Sequence, residues 1–134
     1  MSLSARDLTR LQGVHPGLVA ALEIVFADML TLGHPMFVVE GLRTVKRQQE
    51  LYAQGRTTKG MIVTKCDGVI KRSNHQVHED TLGHAVDCAF VVSGVAGPFD
   101  AGHPWLTFGE KCEALHLKWG GRFPSPDSPH VELP

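Results

Sequence analysis

Ala85 to Val92 reads Ala-Val-Asp-Cys-Ala-Phe-Val-Val, an eight-residue run that is apolar except at Asp87. Such a run, rich in β-branched and aromatic residues, predicts a strand. Successive side chains of a strand point to opposite faces, so Val86, Cys88 and Phe90 share one face while Ala85, Asp87 and Ala89 share the other. The first face belongs in a core. On the second, an aspartate between two alanines has room above it for something bulky. A metal ion fits, because zinc accepts carboxylate oxygen and imidazole nitrogen. The stretch leading into this strand, Ser73 to His84, carries His75, His78 and His84. His84 lies on the face opposite Asp87 and is not expected to be a ligand.

A second segment, Pro126-Asp127-Ser128-Pro129-His130-Val131-Glu132-Leu133-Pro134, reads as a turn followed by a short strand over 130–133. There His130 and Glu132 share a face, and Val131 and Leu133 turn to the core. One histidine of the first stretch, Asp87 and His130 make three protein ligands with a fourth position open, the catalytic zinc pattern. Asp127, in a proline-bounded turn three residues before His130, is placed to act as general base. Glu132 is placed to orient a ligand imidazole.

The remaining composition narrows the class. A chain of 134 residues supports one core, hence a single domain over 1–134 with no separate binding module. At 43% hydrophobic residues it is globular, and a net charge of −1 gives no basic field for nucleic acid. No apolar run reaches the length of a membrane span, and residues 1–7 lack the pattern of a signal peptide. Synthesis in the cytoplasm and a monomer are the expectations. Cys66, Cys88 and Cys112 form no C-x-x-C pair and read as free thiols.

Along the chain, Ser4 and Asp7 imitate a capping box for a helix over 5–12 ending at Gly13. Pro16 opens a second helix ending at Gly33, with Leu18, Leu22, Val25, Phe26, Met29 and Leu30 at helical spacing. A strand over 36–40, a Thr44-capped helix over 45–54, a short strand over 61–64 and a helix over 106–118 complete the pattern. Trp119 reads equally as core or cleft lining. His15 and His34 read as structural or solvent-facing. Residues 65–82 form a long polar connection, in which His78, Glu79 and Asp80 read as a solvated tip in preference to a second ion site. The fold class is α+β: a small antiparallel sheet with helices on one side and the metal cleft on the other.

The combination S-x-H (Ser73, His75), G-x-A-x-D (Gly83, Ala85, Asp87) and D-x-x-H-x-E (Asp127, His130, Glu132) resembles the M15 family of zinc peptidases acting on bacterial peptidoglycan. Glu40-Gly41-Leu42-Arg43-Thr44 with Gln48, and Leu51-Tyr52-Ala53-Gln54-Gly55-Arg56-Thr57, resemble its L-alanyl-D-glutamate endopeptidase branch, used by phages as endolysins. This chain places seven residues between His75 and Gly83, where the family usually has two. The resemblance implies a Hedgehog/DD-peptidase-like zinc peptidase fold with Zn2+ on His75, Asp87 and His130. His75 matches the S-x-H pattern, whereas His78 has Gln76 at the serine position. The resemblance also implies catalytic roles for Asp127 and Arg43, and substrate contacts from Arg43, Gln48 and Ser73. On the residues alone, Arg43 reads equally well as a surface arginine.

The leading expectation is therefore a zinc-dependent peptidoglycan endopeptidase of a phage or prophage endolysin, acting in the periplasm or wall. The alternatives are a D-Ala-D-Ala carboxypeptidase or dipeptidase, and a zinc-bearing, non-catalytic peptidoglycan-binding phage protein. Asp127 separates the last, since a binding module needs no base beside an open metal position.

Overall fold

A computed structural model describes residues 2–134. Its helices are α1 (Ala5–Arg10), α2 (Pro16–Thr31), α3 (Val45–Ala53) and α4 (Trp105–Ala114). Its strands are β1 (Met36–Glu40), β2 (Ala85–Phe90), β3 (Lys118–Trp119) and β4 (His130–Glu132), in the sheet order β1-β2-β4-β3. All the pairings are antiparallel. The α+β architecture expected from the sequence is the one observed.

The period-two reading of β2 holds on its core face. Val86 and Cys88 are fully buried and Phe90 nearly so, packed with Val38 and Val131 of the neighbouring strands. Against them lie Leu18, Leu22, Val25, Phe26 and Met29 of α2 and Phe108 and Cys112 of α4. Leu30 departs from the expectation at 54% exposed. One residue past Met29, it is rotated about 100° around the helix, away from the core stripe.

Helix α1 shields the β1 edge. Asp7 accepts from Val38 N–H at 2.8 Å, and Arg10 donates to Val38 C=O at 2.6 Å. An open edge would otherwise expose this pair for association with another strand. The Ser4–Asp7 capping box forms as expected, but α1 ends at Arg10 rather than at residue 12.

Three other element expectations need correction. Residues 61–64 are not a strand, and Met61, Ile62 and Val63 are exposed. A strand needs a partner edge, and here side chains take the backbone groups instead: Gln54 donates to Met61 C=O and Arg56 to Thr64 C=O. The last helix spans 105–114 and gives way to β3 at Lys118. The β2 ladder stops at Phe90 rather than Val92, and Val91 is exposed. Trp119 resolves as core, 5% exposed, with its indole N–H donating to Ser128 C=O at 2.8 Å. All three cysteines are free thiols. Burial pushes the Cys112 thiol up to about 12 and the Cys88 thiol up as well.

Candidate metal centre and active site

The face of the sheet turned away from α2 carries the polar residues. Asp87 and His130 are direct cross-strand partners in the β2–β4 ladder, two steps from the Ala85–Glu132 pair. His75 reaches the same place from the connection before β2. That connection is pinned by Arg43 N–H to His75 C=O at 2.7 Å and by His84 N–H to Asn74 C=O at 2.9 Å. One ligand atom from each of His75, Asp87 and His130 lies within 4.8 Å of the others, a group able to hold a metal ion.

The hydrogen bonds around the two imidazoles settle which nitrogens face inward. His75 Nδ1 is 2.9 Å from Gly41 C=O, which can only accept, so Nδ1 carries the proton and Nε2 keeps its lone pair. Gly41 must be glycine: a Cβ there would lie 2.6 Å from Arg10 C=O. His130 Nε2 is 2.7 Å from Glu132 Oε1, which leaves Nδ1 facing inward. Glu132 Oε2 in turn accepts from Asn74 at 2.6 Å. His75 Nε2 and His130 Nδ1 each stand 3.4 Å from an Asp87 oxygen. Asp87 Oδ1 is buried without a hydrogen-bond partner. Lone pairs converging at this spacing repel one another unless a proton or a cation lies between them. The donor set, two imidazoles and a carboxylate with each imidazole backed by an acceptor, fits a zinc-type ion.

Without an ion, a proton takes that place. Burial opposes charge on His130, but the neighbouring carboxylates of Asp87 and Glu132 outweigh it and raise its pKa to about 9. Burial likewise opposes charge on Asp87, yet the His130 and His75 imidazoles beside it hold its carboxyl well below the usual carboxylate range.

Asp127 Oδ2 lies 4.0 Å from His130 Nδ1, with 54% of its side chain exposed. Partial burial, and then the charge of Asp87, push its carboxyl up, which makes it a stronger proton acceptor than an ordinary carboxylate. The turn that presents it is held by Asp127 N–H to Gly120 C=O at 2.8 Å and His130 N–H to Asp127 C=O at 3.1 Å. Gly120 permits this approach, since a Cβ there would sit 2.3 Å from Asp127 C=O.

Arg43 is almost fully engaged. It forks onto Glu40 through Nε at 3.2 Å and Nη2 at 3.1 Å, donates from Nη1 to Gln48 at 2.9 Å, and reaches Asp87 at 3.4 Å. Gln48 has no exposed surface, and its amide also donates to Thr64 Oγ1 and Cys66 C=O. Gln48 therefore cannot touch a substrate as expected; it braces Arg43 from behind. Ser73 lines the cleft, and its hydroxyl accepts from His75 N–H at 3.2 Å.

These groups open into a cleft of about 510 Å³ lined by Glu40, Arg43, Ser73, His75, Asp87, Asp127 and His130, among others. Sequence reasoning missed Glu40 as the partner of Arg43, Asn74 as the support of Glu132, and the Gly41 carbonyl behind His75. Asn74 sits inside the S-x-H motif and Glu40 immediately before Gly41, but nothing in their residue types marks those roles. His78 does not join the cluster: its ring stacks on His84 at 3.8 Å, and His84 binds Asp80 at 2.7 Å. Among the described residues His75, Asp87 and His130 form the one group arranged for a metal.

Fold and site together are those of a peptidase of the M15 type. The chain is 30% identical over 132 residues to the peptidoglycan L-alanyl-D-glutamate endopeptidase CwlK of Bacillus subtilis (strain 168), and it belongs to that family. The match covers 96% of this chain and 78% of the relative. The crystal structure of the Serratia marcescens L-Ala D-Glu endopeptidase ChiX aligns with a TM-score of 0.64 at 26% identity, covering 98% of this chain and 89% of that one. No protein-family model matches the sequence.

Proposed function

We propose that this chain is a zinc-dependent endopeptidase that cuts the L-alanyl-D-glutamate bond of peptidoglycan stem peptides, as a single catalytic domain and a monomer. The observation that carries the reading is the convergence of His75, Asp87 and His130, with both imidazoles oriented from behind and Asp87 Oδ1 left unpartnered. The bond and the substrate follow the names of the two relatives.

His75, Asp87 and His130 hold the ion. Bound there, zinc supplies a Lewis acid that acidifies water and polarises a carbonyl. Asp127 takes a proton from the attacking water as its oxygen bonds to the scissile carbon, and returns that proton to the alanyl-glutamyl nitrogen as the C–N bond breaks. Glu132 keeps His130 in the tautomer that presents Nδ1, and the Gly41 carbonyl does the same for His75 Nε2. Arg43, braced by Glu40 and Gln48, offers fixed positive charge beside the carboxylate of Asp87 and toward negative charge developing in the cleft. Ser73 lies on the cleft wall within reach of the peptide.

A lytic role, as a phage or prophage endolysin acting on the wall, rests on the resemblance of residues 40–44 and 51–57. No helix among the described residues is long and apolar enough to cross a membrane. Digestion of purified peptidoglycan followed by mass spectrometry tests the proposal. New N-terminal D-glutamyl and C-terminal L-alanyl ends are expected, with loss on chelation and recovery on adding zinc. Release of terminal D-alanine alone would replace the reading with a carboxypeptidase, and undigested wall with fully zinc-loaded protein would overturn it.

A further inference from the structure

The cleft continues beyond the metal cluster. Arg72, Ser73 and Asn74 line it and also line a second hollow of about 460 Å³, whose other walls are Val77, His78 and Glu79. Half of that lining comes from the seven-residue segment between His75 and Gly83.

This segment is a built wall and not a loose tip. Val77 bridges Gly83, His78 N–H donates to Leu82 C=O at 3.0 Å, and Thr81 N–H donates to His78 C=O at 2.9 Å. The His78 ring stacks on His84 at 3.8 Å with the planes 5° apart, and Asp80 holds His84 from the other side. A wall fixed in this way needs little ordering when a ligand arrives.

The chemistry of the hollow is mixed. Arg72 donates from Nη2 to Val77 C=O at 3.2 Å, which anchors the guanidinium while leaving further N–H groups for a ligand. Glu79 has neither an ion pair nor a side-chain hydrogen bond among the described residues. Arg72 and Glu79 thus line one hollow without pairing to each other. The same hollow is lined by Val77, 44% exposed, and by His78, whose buried Nε2 has no hydrogen-bond partner. Charges of opposite sign that line one hollow without pairing to each other complement a ligand that carries its own two charges apart.

We propose that this hollow is a subsite for the stem-peptide residue following D-glutamate when that residue is a diamino acid with a free carboxylate and a free ammonium. Arg72 takes the carboxylate and Glu79 the ammonium. The inference rests on the endopeptidase reading above and adds to it the determinant that selects among peptides.

A crossed specificity experiment tests it. The zinc-loaded enzyme is given L-alanyl-γ-D-glutamyl-diaminopimelate, the same peptide amidated at the distal carboxylate, and the same peptide acetylated at the distal amine. Wild type should prefer the unmodified peptide by roughly tenfold in kcat/KM over each modified one, the usual scale of a charged hydrogen bond. Arg72→Gln should erase the preference against the amide and keep that against the acetyl form; Glu79→Gln should do the reverse. Because each ratio is taken within one variant, a general loss of activity cancels. Ratios unchanged in both variants would overturn the proposal.

A second measurement needs no turnover. The dipeptide γ-D-glutamyl-diaminopimelate, which lacks the scissile bond, is titrated into the holoenzyme while the Val77 methyl resonances are followed by NMR. Shifts that saturate in wild type and weaken severalfold in Arg72→Gln support the subsite even if no wall peptide is cut, in which case only the endopeptidase reading falls. Silent Val77 resonances in an enzyme that does cut the alanyl-glutamate bond would overturn the subsite and leave that reading standing.

Discussion

Asp87 and His130 face one another across the β2–β4 ladder, and Asp87 Oδ1 lies 3.4 Å from His130 Nδ1 with no hydrogen bond of its own. Glu132, two residues along the same strand face, holds the far side of the imidazole at 2.7 Å. A single antiparallel register therefore sets two ligands and one ligand support, and a slip of β4 by one residue would turn His130 and Glu132 away from Asp87.

The support should be measurable by itself. Glu132→Gln keeps a hydrogen-bonding group behind His130 but removes the charge that favours the right tautomer. Zinc affinity should fall by about 10–100-fold, measured by competition with a chelating indicator, with the circular dichroism spectrum unchanged. An affinity equal to wild type would mean that His130 needs no charged partner.

Asp127 supplies no ligand atom to the cluster and should be separable from it. Asp127→Asn is expected to retain one zinc per chain by elemental analysis and to lose about 10²–10⁴-fold in kcat. An asparagine variant turning over within a few-fold of wild type would remove Asp127 from proton transfer.

His75 and His78 are distinguished by metal content alone. His75→Ala should purify without zinc, since it removes one of three ligand atoms, and His78→Ala should purify with it. Zinc lost only in the His78 variant would move the ligand into the 76–82 segment.

The metal-free protein should show a defined pH dependence. His130 has its pKa raised from 6.5 to about 9, so the stability it contributes is fully present below about pH 6.5 and is lost as pH rises through about 9. Asp87 is shifted down from 3.8, so its contribution is present above about pH 4 and is lost only in stronger acid. The chelated protein should thus be most stable between about pH 4 and 6.5, and its denaturant midpoint should fall between pH 6.5 and 9. Zinc occupying His130 Nδ1 should remove that fall. A midpoint that rises over this range in the chelated protein would contradict the proton-for-metal exchange.

Gln48 should matter for stability and not for the metal. Gln48→Ala leaves Arg43 Nη1 and the 64–66 backbone short of partners and opens a buried gap, so a loss of about 1–3 kcal/mol is expected in chemical denaturation. Zinc affinity should be nearly unchanged, because the residue touches no ligand. A variant as stable as wild type would show that Glu40 and Asp87 hold Arg43 without it.

Strand periodicity is a local property, and it made much of the site legible. Alternation along 85–92 and 130–133 separated Asp87, His130 and Glu132 from their apolar neighbours before any partner strand was known. The same logic put Val86, Cys88, Phe90 and Val131 in the core, and local cap chemistry at Ser4 and Thr44 marked two helix starts. Residues 61–64 failed because β-branched composition says nothing about whether a free edge is available, and Leu30 failed because an apolar residue beside a stripe looks much like one within it. Gln48 was read as facing substrate, since a polar residue near an arginine motif carries no sign of its depth. What only the tertiary structure decided were the long-range partners: Gly41 C=O behind His75, Asn74 behind Glu132, Glu40 and Gln48 around Arg43, and the hollow between Arg72 and Glu79. Each joins groups through space by hydrogen bonds, ion pairs or a shared wall. Sequence spacing records which face of an element a residue occupies, but which two faces meet is set by packing the whole chain.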